Sequence, residues 1–125
     1  MEWSIVASKL NPNEKLRVNE KLESPDGYCE LKLQSDGNLV VYLNGRPHWA
    51  SNTAGNDVID VNMQDDGNFV LYKSNRTPIW ATNTAGNPGA SVQIQDDGNV
   101  VVYNRNGTPL WATNTRVPPP PPPLH

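Results

Sequence analysis

The sequence contains few of the residues on which catalytic and metal sites usually depend. It has one cysteine, Cys29, and two histidines, His48 and His125, among 125 residues. A single cysteine excludes an intrachain disulfide and a cysteine-based zinc site, and two distant histidines do not have the spacing of a zinc cluster. We therefore expect no cofactor, no metal and no catalytic residue. We expect Cys29 to be an inert buried thiol on the core face of a strand, with a reactive or intermolecular thiol as the alternative.

Long hydrophobic runs and an excess of positive charge are also missing. No apolar run approaches the roughly 20 residues that span a bilayer, so membrane insertion is not expected. The formal net charge is -3, from 10 Lys and Arg against 13 Asp and Glu. Such a balance provides no basic field that would attract nucleic acid or an anionic membrane surface. The start, Met1-Glu2-Trp3-Ser4, has no apolar stretch typical of a signal peptide.

The sequence does contain an internal repeat, which is its main feature. Three segments of nine residues align, and their leading glutamines lie 30 and then 31 residues apart. A tryptophan follows each segment within a W-A-(S/T)-N-T run, and successive tryptophans are 31 positions apart. A period of this length is typical of architectures built from one small unit used several times. The segments are Gln34–Tyr42, Gln64–Tyr72 and Gln95–Tyr103, and the tryptophans are Trp49, Trp80 and Trp111.

Each repeat has the pattern of β-strands. Apolar and polar residues alternate, and an Asp-Gly pair between two such runs is a strong hairpin signal. A second turn follows each tyrosine, and the first of these connections, 43–48, is one residue shorter than the other two. We predict three or four short strands per repeat and three sheets around one core. Apolar residues of the N-terminal segment predict short strands that complete the first and last sheets, namely Leu10, Leu16, Val18 and Leu22.

The outward face of the strand after each Asp-Gly turn indicates a binding function. Leu39 and Val41 occupy the inward face, and their counterparts in the other repeats change in size, as a packed core allows. The outward positions keep the same identities three times, although packing alone would tolerate swaps. A carboxylate, two amides, a phenol and a valine suit a pyranose, whose hydroxyls both donate and accept hydrogen bonds.

The pattern Gln-x-Asp-x-Asn-x-Val-x-Tyr resembles the signature of the monocot bulb-type (snowdrop-like, B-type) mannose-binding lectins. All three copies match it at all five positions, and the likeness covers roughly residues 10–116. The resemblance implies an all-β, type II β-prism of three four-stranded antiparallel sheets with pseudo-threefold symmetry, in which the tryptophans lie at the centre. It assigns residues 1–116 to one lectin domain and residues 117–125 to a proline-rich tail.

The resemblance also implies what each residue contacts. Asp36 and Asn38 would bind the axial O2 of mannose, Gln34 would bind O3 and Tyr42 would bind O4. Val40 would contact the C3–C4 edge. The same roles pass to the matching residues of the other copies, so that the mannose-binding set is Gln34, Asp36, Asn38, Val40, Tyr42, Gln64, Asp66, Asn68, Val70, Tyr72, Gln95, Asp97, Asn99, Val101 and Tyr103.

The implied function is mannose-specific binding at up to three equivalent, metal-independent sites that act multivalently on mannose-containing glycans, without enzyme activity. The resemblance further implies a homodimer that exchanges the C-terminal strand, here 110–115. The plant members usually have a disulfide and a leader. One cysteine and no leader favour a cytoplasmic location here, and a secreted one stays open.

Two further interpretations stay open. The six prolines of the tail would form a polyproline II rod, which is either unstructured in context or a ligand for a polyproline-binding protein. In the alternative function, a cytosolic scaffold links glycan-bearing vesicles or the cytoskeleton to a partner of this tail.

The adjacent carboxylates Asp65-Asp66 and Asp96-Asp97 are not predicted to be glycosidase pairs, because neighbouring turn residues point apart.

Overall fold

The computed structural model describes residues 3–116, and every helix or strand element within them is a β-strand. One sheet has five strands and two sheets have four, which confirms the all-β prediction and the division into three sheets. The strands are β1 (Ser4–Ala7), β2 (Lys9–Leu10), β3 (Glu14–Arg17), β4 (Glu20–Glu23), β5 (Cys29–Leu33), β6 (Leu39–Leu43), β7 (Arg46–Ala50), β8 (Val58–Met63), β9 (Phe69–Lys73), β10 (Pro78–Ala81), β11 (Ser91–Ile94), β12 (Val100–Tyr103) and β13 (Pro109–Ala112).

Each sheet combines one repeat with strands from the N-terminal segment, two in sheet 1 and one in each of the other sheets. The orders are β1-β4-β5-β6-β7 in sheet 1, β3-β8-β9-β10 in sheet 2 and β2-β11-β12-β13 in sheet 3. The N-terminal segment therefore supplies a strand to all three sheets, in the reverse of chain order. The expectation that it completes only the first and last sheets was too narrow, because β3 also pairs with β8.

Sheet 1 differs from the expected four antiparallel strands. β1 adds a fifth strand and pairs in parallel with β4, with Ser4 opposite Glu20 and Ile5 opposite Lys21. All four residues of β1 are exposed. Because neither face of this strand is buried, its sequence lacks the alternation from which the other strands were predicted.

The inward residues of the three sheets form one core. Leu31, Leu33 and Val41 are buried on this face, and Cys29 joins them as a free buried thiol, as predicted. Ile59, which aligns with Cys29 in sequence, is instead 40% exposed. The register shifts between Val58 and Asp60, and this bulge turns Ile59 outward.

The three tryptophans meet at the centre, as the resemblance implies. Their ring centroids lie 5.5, 5.6 and 5.8 Å apart in edge-to-face arrangements. Such pairs contribute about 0.5–1.5 kcal/mol each beyond the burial of their area. Trp49, Trp80 and Trp111 are partly buried and pack against the core, so the contact among them ties the three last repeat strands together.

The shorter first connection is a tight hairpin. Leu43 pairs with Arg46, and Asn44 and Gly45 have φ angles of 50° and 79°, as a two-residue turn with left-handed central residues requires. The corresponding loops of sheets 2 and 3 are longer and place Arg76 at φ 68° and Gly107 at φ 85°. The length difference read from the sequence is therefore confirmed at this tip.

Met1, Glu2 and residues 117–125 lie outside the described residues, so the proline tail, its partner and the scaffold alternative stay predictions. No helix that is long and apolar enough to cross a membrane occurs in the part that the structure describes. Within residues 3–116, no three His, Cys, Asp or Glu side chains form a group that could hold a metal ion.

Candidate functional site

The structure brings each predicted set of five residues together on the outer face of one sheet. We call them cluster 1, cluster 2 and cluster 3, in sheets 1, 2 and 3. In each, the Gln and the Asp belong to the turn that precedes a strand, the Asn directly precedes that strand, and the Val and the Tyr lie on it. The clusters are Gln34, Asp36, Asn38, Val40 and Tyr42; Gln64, Asp66, Asn68, Val70 and Tyr72; and Gln95, Asp97, Asn99, Val101 and Tyr103.

The Asp-Gly turn fixes the carboxylate of each cluster. In cluster 1 the N–H of Gly37 donates to the carbonyl of Gln34, and the N–H of Asn38 donates to Asp36 Oδ1 at 2.9 Å. The same N–H to carboxylate bond measures 2.9 Å in clusters 2 and 3. The turn thus holds one carboxylate oxygen in each cluster, and in cluster 2 the other oxygen of Asp66 has no protein donor among residues 3–116.

Glycine is required in this turn for two reasons. Gly37 has φ 96°, a conformation that L side chains rarely adopt. A Cβ there would also lie 2.4 Å from the carbonyl oxygen of Asn56, in the segment that leads to sheet 2. The turn therefore packs directly on the backbone that follows the (S/T)-N-T run.

A hydroxyl network orients the asparagine of each cluster. In cluster 1 the N–H of Thr53 and the hydroxyl of Ser51 both donate to Asn38 Oδ1 at 3.2 Å, and Thr53 Oγ1 donates to the carbonyl of Gly37 at 2.6 Å. The protein thus occupies the amide oxygen, which leaves the Nδ2 group to donate outward. Equivalent bonds hold Asn68 through Thr82 and Thr84, and Asn99 through Thr113 and Thr115.

The role of these hydroxyl residues was not predicted from the sequence. The (S/T)-N-T run is visible there as a repeat, but its hydroxyls were not connected with the asparagine of the cluster. The available signal was the repeated hydroxyl at both ends of the run, since a buried hydroxyl that recurs three times needs a recurring partner.

The glutamine and the tyrosine of each cluster form a hydrogen-bonded pair. The Tyr42 hydroxyl donates to Gln34 Oε1, whereas Gln64 and Gln95 donate their amide N–H to Tyr72 and Tyr103. The pair holds the phenol in place and leaves each hydroxyl one further hydrogen bond to make with a ligand.

The outward valines are less accessible than the alternation of the strand suggests. Val40, Val70 and Val101 are each 4% exposed. They face cross-strand neighbours, with Lys32 opposite Val40 and Asn62 opposite Val70. The apolar surface that each cluster offers to a ligand is therefore small.

The surroundings of the three clusters differ in charge. In cluster 1, Gln34 Nε2 donates to both oxygens of Asp36 at 3.1 and 3.2 Å, and Lys32 Nζ lies 4.8 Å from the ring centroids of Tyr42 and Trp3. The Asp36 carboxylate therefore has more protein donors than those of the other clusters.

Cluster 2 lies in a depression of about 390 Å³ whose walls include Gln64, Asp66 and Tyr72. The guanidinium of Arg76 lies 5.1 Å from the ring centroid of Tyr72 and pairs with the buried Asp60 at 3.2 Å. In cluster 3, Arg116 Nε lies 3.6 Å from Asp97 Oδ2. Among residues 3–116, Asp66 alone of the three carboxylates has neither a side-chain donor nor a cationic partner.

The residue before Asp97 has a structural role instead. Asp96 Oδ1 accepts the N–H of Asp26 at 2.9 Å, and its carbonyl lies 3.7 Å from Cys29 Sγ. These contacts join the turn of sheet 3 to the loop between β4 and β5 of sheet 1, and so close the prism. Burial raises the pKa of the Cys29 thiol, which opposes the reactive thiolate form.

No protein-family model matches the chain. Solved structures do match. The lectin of Marasmius oreades has 32% sequence identity and a TM-score of 0.84, over 92% of this chain and 97% of that one. The mannose-specific agglutinin of snowdrop (Galanthus nivalis), solved with methyl-α-D-mannoside, has 40% identity and a TM-score of 0.72, over 89% of this chain and 99% of that one. A domain-swapped lectin dimer from Mycobacterium smegmatis has 41% identity and a TM-score of 0.52, over 82% of this chain and 95% of that one.

The curated lectins that match align over 49 to 66 residues, and the chain spans about half of their length. The high coverage of the solved lectins, together with the three outward clusters and the prism of three sheets, assigns the family. The chain belongs to the monocot bulb-type mannose-binding lectins, which bind carbohydrate and are not enzymes.

Proposed function

We propose that the chain binds mannose-containing glycans directly through clusters 1, 2 and 3, without a metal ion. The observation that carries this proposal is that three sheets present the same oriented set of donors and acceptors on their outer faces. The solved snowdrop lectin was bound to methyl-α-D-mannoside, and it is similar to this chain over 89% of the length.

The chemistry of one cluster matches the hydroxyls of one mannose. The second carboxylate oxygen of Asp66 can accept a hydrogen bond from a sugar hydroxyl, and Asn68 Nδ2 can donate one to the oxygen of that hydroxyl. This is the arrangement expected for the axial O2 of mannose. Gln64 and Tyr72 are held together and have capacity left for O3 and O4. An epimer with one hydroxyl misplaced leaves a polar group unpaired, at about 1–3 kcal/mol.

The three carboxylates have different protein partners, so we expect the three clusters to bind mannose with different affinities. Asp66 has no competing side-chain donor among the described residues, whereas Gln34 donates to Asp36 and Arg116 lies beside Asp97. A sugar hydroxyl must replace those partners in clusters 1 and 3. Cluster 2 is therefore expected to bind mannose most tightly.

Titration calorimetry with methyl α-mannoside tests the proposal. The single variants Asp36→Asn, Asp66→Asn and Asp97→Asn keep an oxygen that accepts the turn N–H, so the fold is retained. Each should weaken its own site about tenfold or more, since hydrogen bonds to charged groups contribute about 1.5–3 kcal/mol. The largest loss is expected for Asp66→Asn.

An exposed carboxylate outside the depression provides the control. Asp57→Asn removes the same charge before β8 and should leave the affinity unchanged. Addition of EDTA should also have no effect, because each cluster contains a single carboxylate, too few for a calcium site. Absence of heat at millimolar mannoside, with the protein folded by circular dichroism, would contradict the proposal.

We also propose that the chain forms a dimer by exchange of β13, which multiplies the number of sites that engage one glycan surface. Within a single chain, β13 pairs with β12 as the edge of sheet 3. The similar Mycobacterium smegmatis protein is a domain-swapped dimer. Linked weak sites gain avidity by effective concentration. Light scattering after size exclusion at micromolar protein should report twice the chain mass, and a monomer would refute the exchange.

A further inference from the structure

Sheet 3 has an unbalanced positive charge beside its sugar cluster. Lys9, Lys15 and Lys21 occupy the same position in their sheets, opposite Gln93, Asn62 and Lys32 respectively. These three partners in turn lie opposite the valines of the clusters. Each sheet thus places one lysine beside its cluster.

In sheets 1 and 2 a carboxylate neutralises that lysine. Glu30 lies opposite Tyr42 and pairs with Lys21, and Asp60 lies opposite Tyr72 and pairs with Lys15 at 3.7 Å. In sheet 3 the corresponding residue is Ser91, opposite Tyr103. Sheet 3 therefore has the lysine, Lys9, but a serine at the position of its carboxylate partner.

A second cation faces the same space. Lys9 and Arg105 both line a depression of about 370 Å³, together with Tyr103 of cluster 3 and the polar residues Asn11, Ser91 and Gln93. No Asp or Glu lines it, and neither cation forms an ion pair with any carboxylate of residues 3–116. Glu14 accepts the backbone N–H of Asn11 and does not line the depression.

We propose that this depression binds an oxyanion carried by the glycan at cluster 3, so that sheet 3 prefers mannose glycans bearing phosphate. The shared wall, Tyr103, places the two sites side by side. Two cations and several neutral donors suit the multiple oxygens of such a group. The inference rests on the proposed function, since it adds selectivity to the sugar site of sheet 3.

The test uses the full chain with clusters 1 and 2 weakened by Asp36→Asn and Asp66→Asn, so that the measured binding comes from sheet 3. Calorimetry compares a neutral high-mannose oligosaccharide with its 6-phosphorylated form at low salt. We expect the phosphorylated form to bind about three- to tenfold more tightly, as two exposed charge contacts allow. The preference should disappear at 0.5 M NaCl and in Lys9→Gln/Arg105→Gln, whereas the affinity for the neutral sugar stays unchanged.

Two controls separate this pocket from a general charge effect. Arg17→Gln/Arg46→Gln removes two exposed cations elsewhere and should retain the preference. In NMR spectra, inorganic phosphate alone should shift the side-chain signals of Lys9 and Arg105 saturably at millimolar concentration, which distinguishes the anion pocket from the phosphosugar as a whole.

Equal affinities for the two oligosaccharides would overturn the inference and leave the proposed function intact. The same holds if Lys9→Gln/Arg105→Gln prefers the phosphorylated oligosaccharide as strongly as the protein with Lys9 and Arg105. Failure of the neutral oligosaccharide to bind would instead overturn the proposed function at sheet 3.

Discussion

Replacement of Thr84 by valine tests whether the (S/T)-N-T network supports cluster 2. Thr84 is 7% exposed, and its hydroxyl donates to the carbonyl of Gly67 at 2.6 Å and lies 2.7 Å from the hydroxyl of Thr82. Valine keeps the volume and the N–H that binds Asn68, and it removes only the hydroxyl. The carbonyl of Gly67 then loses its donor inside a closed turn.

A buried acceptor left without a partner costs about 1–3 kcal/mol. For a domain of this size, we expect the melting temperature to fall by about 4–12 °C. Asn68 should also lose part of its fixed orientation, so the affinity of cluster 2 for methyl α-mannoside should fall with stability. Thermal unfolding by circular dichroism and calorimetry of the Asp36→Asn/Asp97→Asn background measure the two effects.

The control is Thr77→Val, which removes an exposed hydroxyl from the hairpin of the same sheet. Substitutions of this kind usually change stability by less than about 0.5 kcal/mol. If Thr84→Val were as stable as Thr77→Val and bound mannoside equally well, the hydroxyl network would not be what holds the asparagine.

Three further predictions concern the turns, the centre and the thiol. Gly67→Ala should lower the free energy of unfolding in urea far more than Gly107→Ala. A Cβ at Gly67 would lie 2.4 Å from the carbonyl oxygen of Asn87, whereas a Cβ at Gly107 has no neighbour within 4 Å and adds only left-handed strain of about 1–2 kcal/mol. Similar losses in the two variants would contradict the packing of the Gly67 turn. Trp80→Ala should lower the free energy of unfolding by about 3–5 kcal/mol, because Trp80 contacts Trp49, Trp111 and Phe69. A shift of the denaturation midpoint smaller than that of an exposed substitution would refute the central position of Trp80. Because the pKa of Cys29 is raised in the folded protein, the thiol ionises first in the unfolded chain, and the free energy of unfolding should fall as pH rises above about 9.0. Cys29→Ala should show a smaller fall over the same pH range, and an equal fall in both proteins would refute the prediction.

The repeat allowed much of the fold to be predicted from the sequence. Strands with one buried face leave an alternating pattern, and the three copies of Asp-Gly placed the turns and the clusters. β1 left no such pattern because it is exposed throughout. The bulge at Ile59 was not predictable, since a register shift depends on pairing across strands rather than on local sequence.

The candidate site was predicted as residue identities but not as geometry. The sequence indicated which five residues share a face, yet it did not indicate that the protein itself uses the amide oxygen of Asn38, or that Val40 is nearly covered. The charges around the clusters also depend on strands far away in sequence, such as β2 beside β11. The cytoplasmic location, the ligand contacts and the role of the tail stay predictions.

The reversed order of the N-terminal strands has a consequence for synthesis on the ribosome. β4 finds β5 within a few residues, but β3 must wait for β8, and β2 must wait for β11, since Lys9 pairs with Gln93. β2 therefore leaves the exit tunnel before β3 and β4 but finds its partner strand after both of them. Until the third repeat emerges, β2 remains an unsatisfied edge on the nascent chain, a period in which a chaperone or a neighbouring chain can compete for it.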